Sequence, residues 1–192
     1  MQMGKTRELV LCGLFAALMA VGANVSPLLM IGGVPVTLQL MFAIIAGGML
    51  GSRVGAKAML LYVALGLIGA PVFAQFKGGP ASILSPTFGF VLSFIAVAFI
   101  VGLILTKVRS FSGYVIAGVS ALLFNYIIGT NFMYLALTFW ADAPNGFSYG
   151  VAWGWMVAYL PLDIIVTVVS MVAVHRLSKL APVRKVLVAF HK

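Results

Sequence analysis

Acidic residues are nearly absent. The 192-residue chain carries Glu8, Asp142 and Asp163 and no other carboxylate side chain, against twelve Lys and Arg. Only Asp163 lies deep within an apolar run, which excludes an intramembrane protease built on paired aspartates. Cysteine is limited to Cys12, so there is no disulfide framework. The two histidines, His175 and His191, are too isolated to ligate a metal, and no Cys/His cluster or H-E-x-x-H motif accompanies them. No G-x-x-x-x-G-K-[ST] loop is present, so the chain is not expected to hydrolyse ATP itself. Neither a catalytic residue nor a cofactor is expected.

What is abundant is apolar surface. Hydrophobic residues make up 63% of the chain and charged residues only 8%, and the mean hydropathy is +1.17. A soluble domain of this size needs more charge. Apolar stretches recur along the whole chain, so the first is not read as a removable targeting segment. A bilayer crossing needs about 20 apolar residues. Spans are expected at Glu8–Ser26, Val36–Leu50, Ala58–Ala70, Thr87–Thr106, Tyr114–Phe139 and Val151–His175. Period-2 alternation is absent, which argues against a β-barrel. The expected fold is an all-α membrane protein of six transmembrane helices forming one domain over 1–192.

The basic residues supply an orientation. Under this arrangement eleven of the twelve fall on one side, and only Lys77 falls on the other. Cytoplasmic loops are enriched in Lys and Arg, so both termini are expected inside and the partner of these charges is the lipid bilayer rather than nucleic acid. Arg53 and Lys57 are expected in a loop between spans two and three.

Three groups of residues stand out. Asp163 costs about 3 kcal/mol at membrane depth, and no span contains an interior Lys or Arg to pair with it. Trp155, Tyr159 and Asp163 follow at i, i+4 and i+8, along one side of a continuous helix. They form either a ligand surface or an interfacial belt beside a structural acid. Asn125, followed by Tyr126, either joins span five to a neighbour or offers a ligand both a donor and an acceptor. Gly13, Ala16, Ala17 and Ala20 make a small-residue stripe on span one, serving either internal packing or docking of another membrane subunit.

Residues 71–90 are too apolar for an ordinary exposed loop and too rich in Pro and Gly for one helix. The segment is expected to fold over the outer mouth of the bundle, with a greasy external loop as the alternative. Ser85-Pro86-Thr87 reads as an N-cap followed by Pro at the first helical position. Lys77 and that helix end then either hold a carboxylate together, or Lys77 is simply solvated.

Several stretches resemble the BioY family, the biotin-specific substrate-binding (S) components of energy-coupling factor (ECF) transporters. They are Gly69-Ala-Pro-Val-Phe73-Ala-Gln-Phe-Lys77-Gly-Gly79, Leu84-Ser-Pro-Thr87-Phe-Gly-Phe90, Pro35-Val-Thr-Leu-Gln39, Asn125-Tyr126-Ile-Ile-Gly-Thr130 and Leu160-Pro-Leu-Asp163. The likeness runs in order along nearly the whole chain. It implies a pocket roofed by outer loops and high-affinity biotin binding for uptake across a bacterial cytoplasmic membrane. It also implies as partners a transmembrane coupling protein and two cytoplasmic ATPases. Asp163 matches the family acid that binds the ureido ring. The implied ligand set adds Tyr159, Trp155, Asn125 and Tyr126 from spans five and six. Phe73, Lys77, Thr87 and Gln39 join it from the roof and from the start of span two. Ala16-x-x-x-Ala20, with Gly13 and Ala17, matches the family's docking motif. Two positions depart from the family: Val166 stands where it carries a lysine, and Phe88-Gly89 where it carries Gly-Gly. The alternatives are an S component for a biotin precursor or another small carboxylate, and a self-sufficient carrier, although no inverted repeat is visible.

Overall fold

The structure, a computed structural model, describes residues 4–25, 30–31, 34–35 and 37–180. Its helices are α1 (Lys5–Asn24), α2 (Gln39–Leu67), α3 (Phe88–Lys107), α4 (Phe111–Phe139), α5 (Tyr149–Val157) and α6 (Leu160–Ser178). A two-residue antiparallel pair, β1 (Met30–Ile31) with β2 (Val34–Pro35), lies between α1 and α2. The starts expected at Val36 and the end expected at Ser26 fall outside the described residues.

Five of these helices are long and apolar enough to cross a membrane. They make six passes because α2 doubles back at Gly51. That residue has φ 76° and ψ 177°, a region only glycine occupies readily. Two contacts fix the reversal. A Cβ on Gly55 would lie 3.0 Å from Gly47 Cα. Gln39 Nε2 donates to Tyr62 Oη at 2.8 Å, although 23 residues of straight helix would separate them by about 34 Å. The limbs are therefore 39–50 and 52–67, joined by a single residue. This corrects the expected loop: Arg53 and Lys57 lie in the first turns of the second limb, since a glycine with this backbone needs no further connector.

Helix α3 packs against both limbs at backbone distance. A Cβ on Gly47 would collide with Ala98 O, and one on Gly102 with Ser52 N, the close approach that small residues permit between membrane helices. Met19, Ile44, Met59, Tyr62, Val97, Val101 and Leu105 fill the resulting core. The opposite faces of α4 and α6 leave Val119, Leu123, Ile127, Ile165, Val168 and Val172 exposed, as lipid-facing helices require.

The two ends of the bundle differ. At one end Lys57 Nζ meets Glu8 Oε1 at 2.6 Å. There too Arg109 donates to Gly48 O at 3.3 Å, and the Tyr114 and His175 rings lie 5.1 Å apart. This end carries Lys5, Arg7, Arg53, Lys57, Lys107, Arg109, Arg176 and Lys179. Lys77 is at the other end.

The last pass departs from expectation. Val151–His175 was expected as one helix, but α5 and α6 are separate. Ala158 N bonds to Trp155 O at 3.2 Å and Tyr159 N to Met156 O at 3.1 Å, the tighter i→i−3 pattern. Pro161 explains this, because it has no N–H to bond the carbonyl four residues back. It is tolerated at the beginning of α6, where that donor is not needed.

Candidate functional site

Residues 68–87 close the end opposite the basic cluster. Short 3₁₀ turns at Ala74–Phe76 and Pro80–Leu84 give the segment its shape, and four hydrogen bonds pin it. Tyr62 Oη donates to Val72 O at 3.0 Å, Phe76 N to Asn24 Oδ1 at 2.7 Å, Gly79 N to Gly66 O at 2.7 Å and Trp140 Nε1 to Leu84 O at 2.8 Å. Phe73 turns inward, 5% exposed, over a surface that only glycine at position 66 leaves open. The segment is thus a roof, not a free loop.

Beneath it lies a cavity of about 860 Å³, a volume toward the upper end for small-molecule sites. All nine residues of the expected ligand set line it. Of the three charged residues that line it, Lys77 and Asp142 are exposed and Asp163 is half-buried. Tyr126 Oη donates to Asp163 Oδ2 at 2.8 Å, so the acid's partner is a neutral donor on α4. The break before α6 also places Asp163 in that helix's first turn, where the free N–H groups favour a negative charge. Neither feature is visible when 151–175 is drawn as one helix. Trp155 and Tyr159 wall the cavity beside the acid.

Asn125 joins its helix to a neighbour. Its Oδ1 lies 2.8 Å from Ser93 Oγ on α3, while the same hydroxyl is 2.7 Å from Phe90 O. The amide therefore joins α4 to α3 and still borders the cavity. Gln39 is held by Tyr62, whose hydroxyl passes the chain of bonds on to the roof at Val72.

Two expectations need correction. The helix after the roof begins at Phe88, and Ser85 makes no side-chain cap bond. Ser85 Oγ pairs instead with Thr87 Oγ1 at 3.0 Å. The N–H groups of Phe88 and Phe90 are taken by the carbonyls of Ser85 and Thr87. The helix end thus offers an anion two hydroxyls and fewer free amides than a helix starting at Pro86 would, because Pro86 turns the chain before the helix starts. The stripe on α1 is also divided. Ala16 is 3% exposed and Ala20 packs partly against the core, whereas Gly13 and Ala17 face outward. The inward face is set by Cys12, Phe15, Met19 and Ala23, and Ala16 belongs to it.

Sequence reasoning did not place Met133, Met156, Phe94, Ser82 or Asp142 at the cavity, although they line it. The apolar ones carry no signal that separates a cavity wall from a core. Asp142 was visible as an acid in an outer loop, but its place at the rim depends on the Trp140 anchor.

Comparison with known proteins agrees with this architecture. The chain is 42% identical over 171 residues to a putative biotin transporter, BioYB, of Bacillus subtilis, covering 84% of this chain and 82% of the relative. It is 38% identical over 175 residues to the biotin transporter BioY of Thermotoga maritima, covering 91% and 97%. A solved structure, the S-component for biotin from an ECF-type ABC transporter, superposes with a TM-score of 0.78 at 26% identity, covering 95% of this chain and 96% of that one. The BioY family model matches residues 1–183, and this multi-pass membrane protein belongs to the BioY family.

Proposed function

We propose that the chain is the biotin-binding membrane subunit of an ECF-type ABC importer and mediates biotin uptake. The observation that carries this reading is the Asp163 carboxylate, set in a roofed cavity with Tyr126 on one oxygen and aromatic walls beside it. A cyclic urea supplies what that carboxylate lacks, N–H donors without a charge. Asn125, whose amide nitrogen has no hydrogen bond among the described residues, supplies a donor for the urea carbonyl. Trp155 and Tyr159 suit the flat bicycle. Toward the rim, Lys77 and the Ser85 and Thr87 hydroxyls receive the valerate carboxylate.

The basic end faces the cytoplasm of a bacterial cell on the positive-inside rule, so the cavity opens outward. Energy then comes from partners, a coupling protein and two ATPases. The burial pattern of α1 favours Gly13 and Ala17, rather than the buried Ala16, as the surface that meets the coupling protein.

The test is titration calorimetry on the detergent-solubilised protein with biotin, dethiobiotin and thiamine. Biotin should bind and thiamine should not. Asp163→Asn keeps the shape but opposes a ring N–H with a donor. Charge-assisted bonds are worth about 1.5–3 kcal/mol each, so two of them lost should cost at least about 3 kcal/mol, roughly 150-fold in Kd. The unliganded variant should melt at or above the wild-type temperature, since an expensive acid has been removed. Normal biotin binding with an earlier melt would make Asp163 a structural strut.

A further inference from the structure

The rim of the cavity carries two opposite charges that the biotin reading leaves half used. Lys77, on the roof, and Asp142, on the segment between α4 and α5, both line the cavity and are both exposed. Among the described residues neither forms an ion pair. Their segments are held together: Trp140, two residues before Asp142, donates its indole N–H to Leu84 O of the roof at 2.8 Å. Ala141 N bonds back to Ala136 O at 2.9 Å, and Phe147 N to Pro144 O at 3.1 Å. A free biotin carboxylate has a use for Lys77 and none for Asp142, which repels it.

We infer that the cavity also accepts biotin extended through its carboxyl group as an amide ending in an α-amino acid, the form released when proteins carrying lysine-linked biotin are degraded. The inference rests on the biotin reading of the floor. With the bicycle at Asp163, the amide occupies the channel and the zwitterion reaches the rim. There its carboxylate meets Lys77 and its ammonium meets Asp142. The cavity volume of about 860 Å³ leaves space for the longer molecule, and its ammonium offsets the repulsion between a carboxylate and Asp142.

The probe is Nε-biotinyl-lysine, compared with biotin by titration calorimetry on wild type, Asp142→Asn and Asp142→Lys. Both substitutions fall on an exposed loop position. Exposed ion pairs are weak, so the expected changes are about three- to fivefold. Asp142→Lys should weaken biotinyl-lysine and tighten biotin, moving the two constants in opposite directions. Asp142→Asn should shift their ratio the same way by less. An unchanged ratio, or biotin binding to wild type with no binding of biotinyl-lysine, overturns the inference while leaving the biotin site intact. Failure of both ligands to bind wild type would remove the biotin reading, and this inference with it.

Discussion

Asp163 shows how a residue can be legible while its environment is not. Its cost in a membrane marks it as a candidate site residue from the sequence alone. Its partner Tyr126, 37 positions away, entered the expected ligand set through the family resemblance and not as the donor to this acid. The same holds for Lys77: the structure puts it on the cavity lining, exposed, and the proposed carboxylate contact rests on that position. With Val166 in place of the family lysine, Lys77 is the cation available at this end among the described residues. Biotin amide should therefore bind less tightly than biotin, and the ratio should shrink in Lys77→Ala. The expected loss of biotin affinity is about fivefold, the upper range for an exposed pair. Val166→Lys should tighten biotin or leave it unchanged. Calorimetry on the four protein–ligand pairs checks this, and an equal ratio in both proteins would remove Lys77 from carboxylate recognition.

At the scale of elements, the hairpin in α2 and the rotation of α1 decide most. Nothing lies within 4 Å of a Cβ placed on Gly51, so replacing it tests backbone conformation without a clash. Gly51→Ala should cost about 1–3 kcal/mol, read as a lower melting temperature in detergent, with biotin still bound by the folded fraction. A wild-type melt would mean the turn relaxes into another geometry. On α1, bulky substitutions should separate two roles. Ala17→Trp should abolish co-purification with the coupling protein and spare biotin binding, since Ala17 faces outward. Ala16→Trp should instead lower the melting temperature, because overpacking a filled core typically costs about 1–3 kcal/mol. If Ala17→Trp assembles normally, the coupling protein docks elsewhere.

For the whole molecule, the charge split becomes a statement about sidedness. Eight described basic residues share one end with the Glu8–Lys57 pair, and the roof lies at the other. In a Cys12→Ala background, Ile83→Cys and Asn145→Cys, both exposed, should react with an impermeant thiol reagent added to intact cells. Arg53→Cys and Ser110→Cys should react only after the membrane is opened. External labelling of position 53 would invert or break the proposed topology.

The number of passes, the charge asymmetry and the cost of placing Asp163 in a membrane were determined by sequence, because each follows from transfer energies that act residue by residue. Helix pairing, the turn at Gly51, the break before Pro161 and the facing of Ala16 were decided only by tertiary structure. In a chain that is 63% hydrophobic the apolar pattern barely differs between a face toward lipid and a face toward protein, so periodicity loses its power to orient helices. Small residues read as a possible docking stripe on α1 and as nothing in particular at Gly47 and Gly102, yet it is the latter that let α2 and α3 touch. The cavity is likewise a product of tertiary structure, because its walls come from α2, the roof, α3, α4, α5 and α6, elements distant in sequence that only packing brings together.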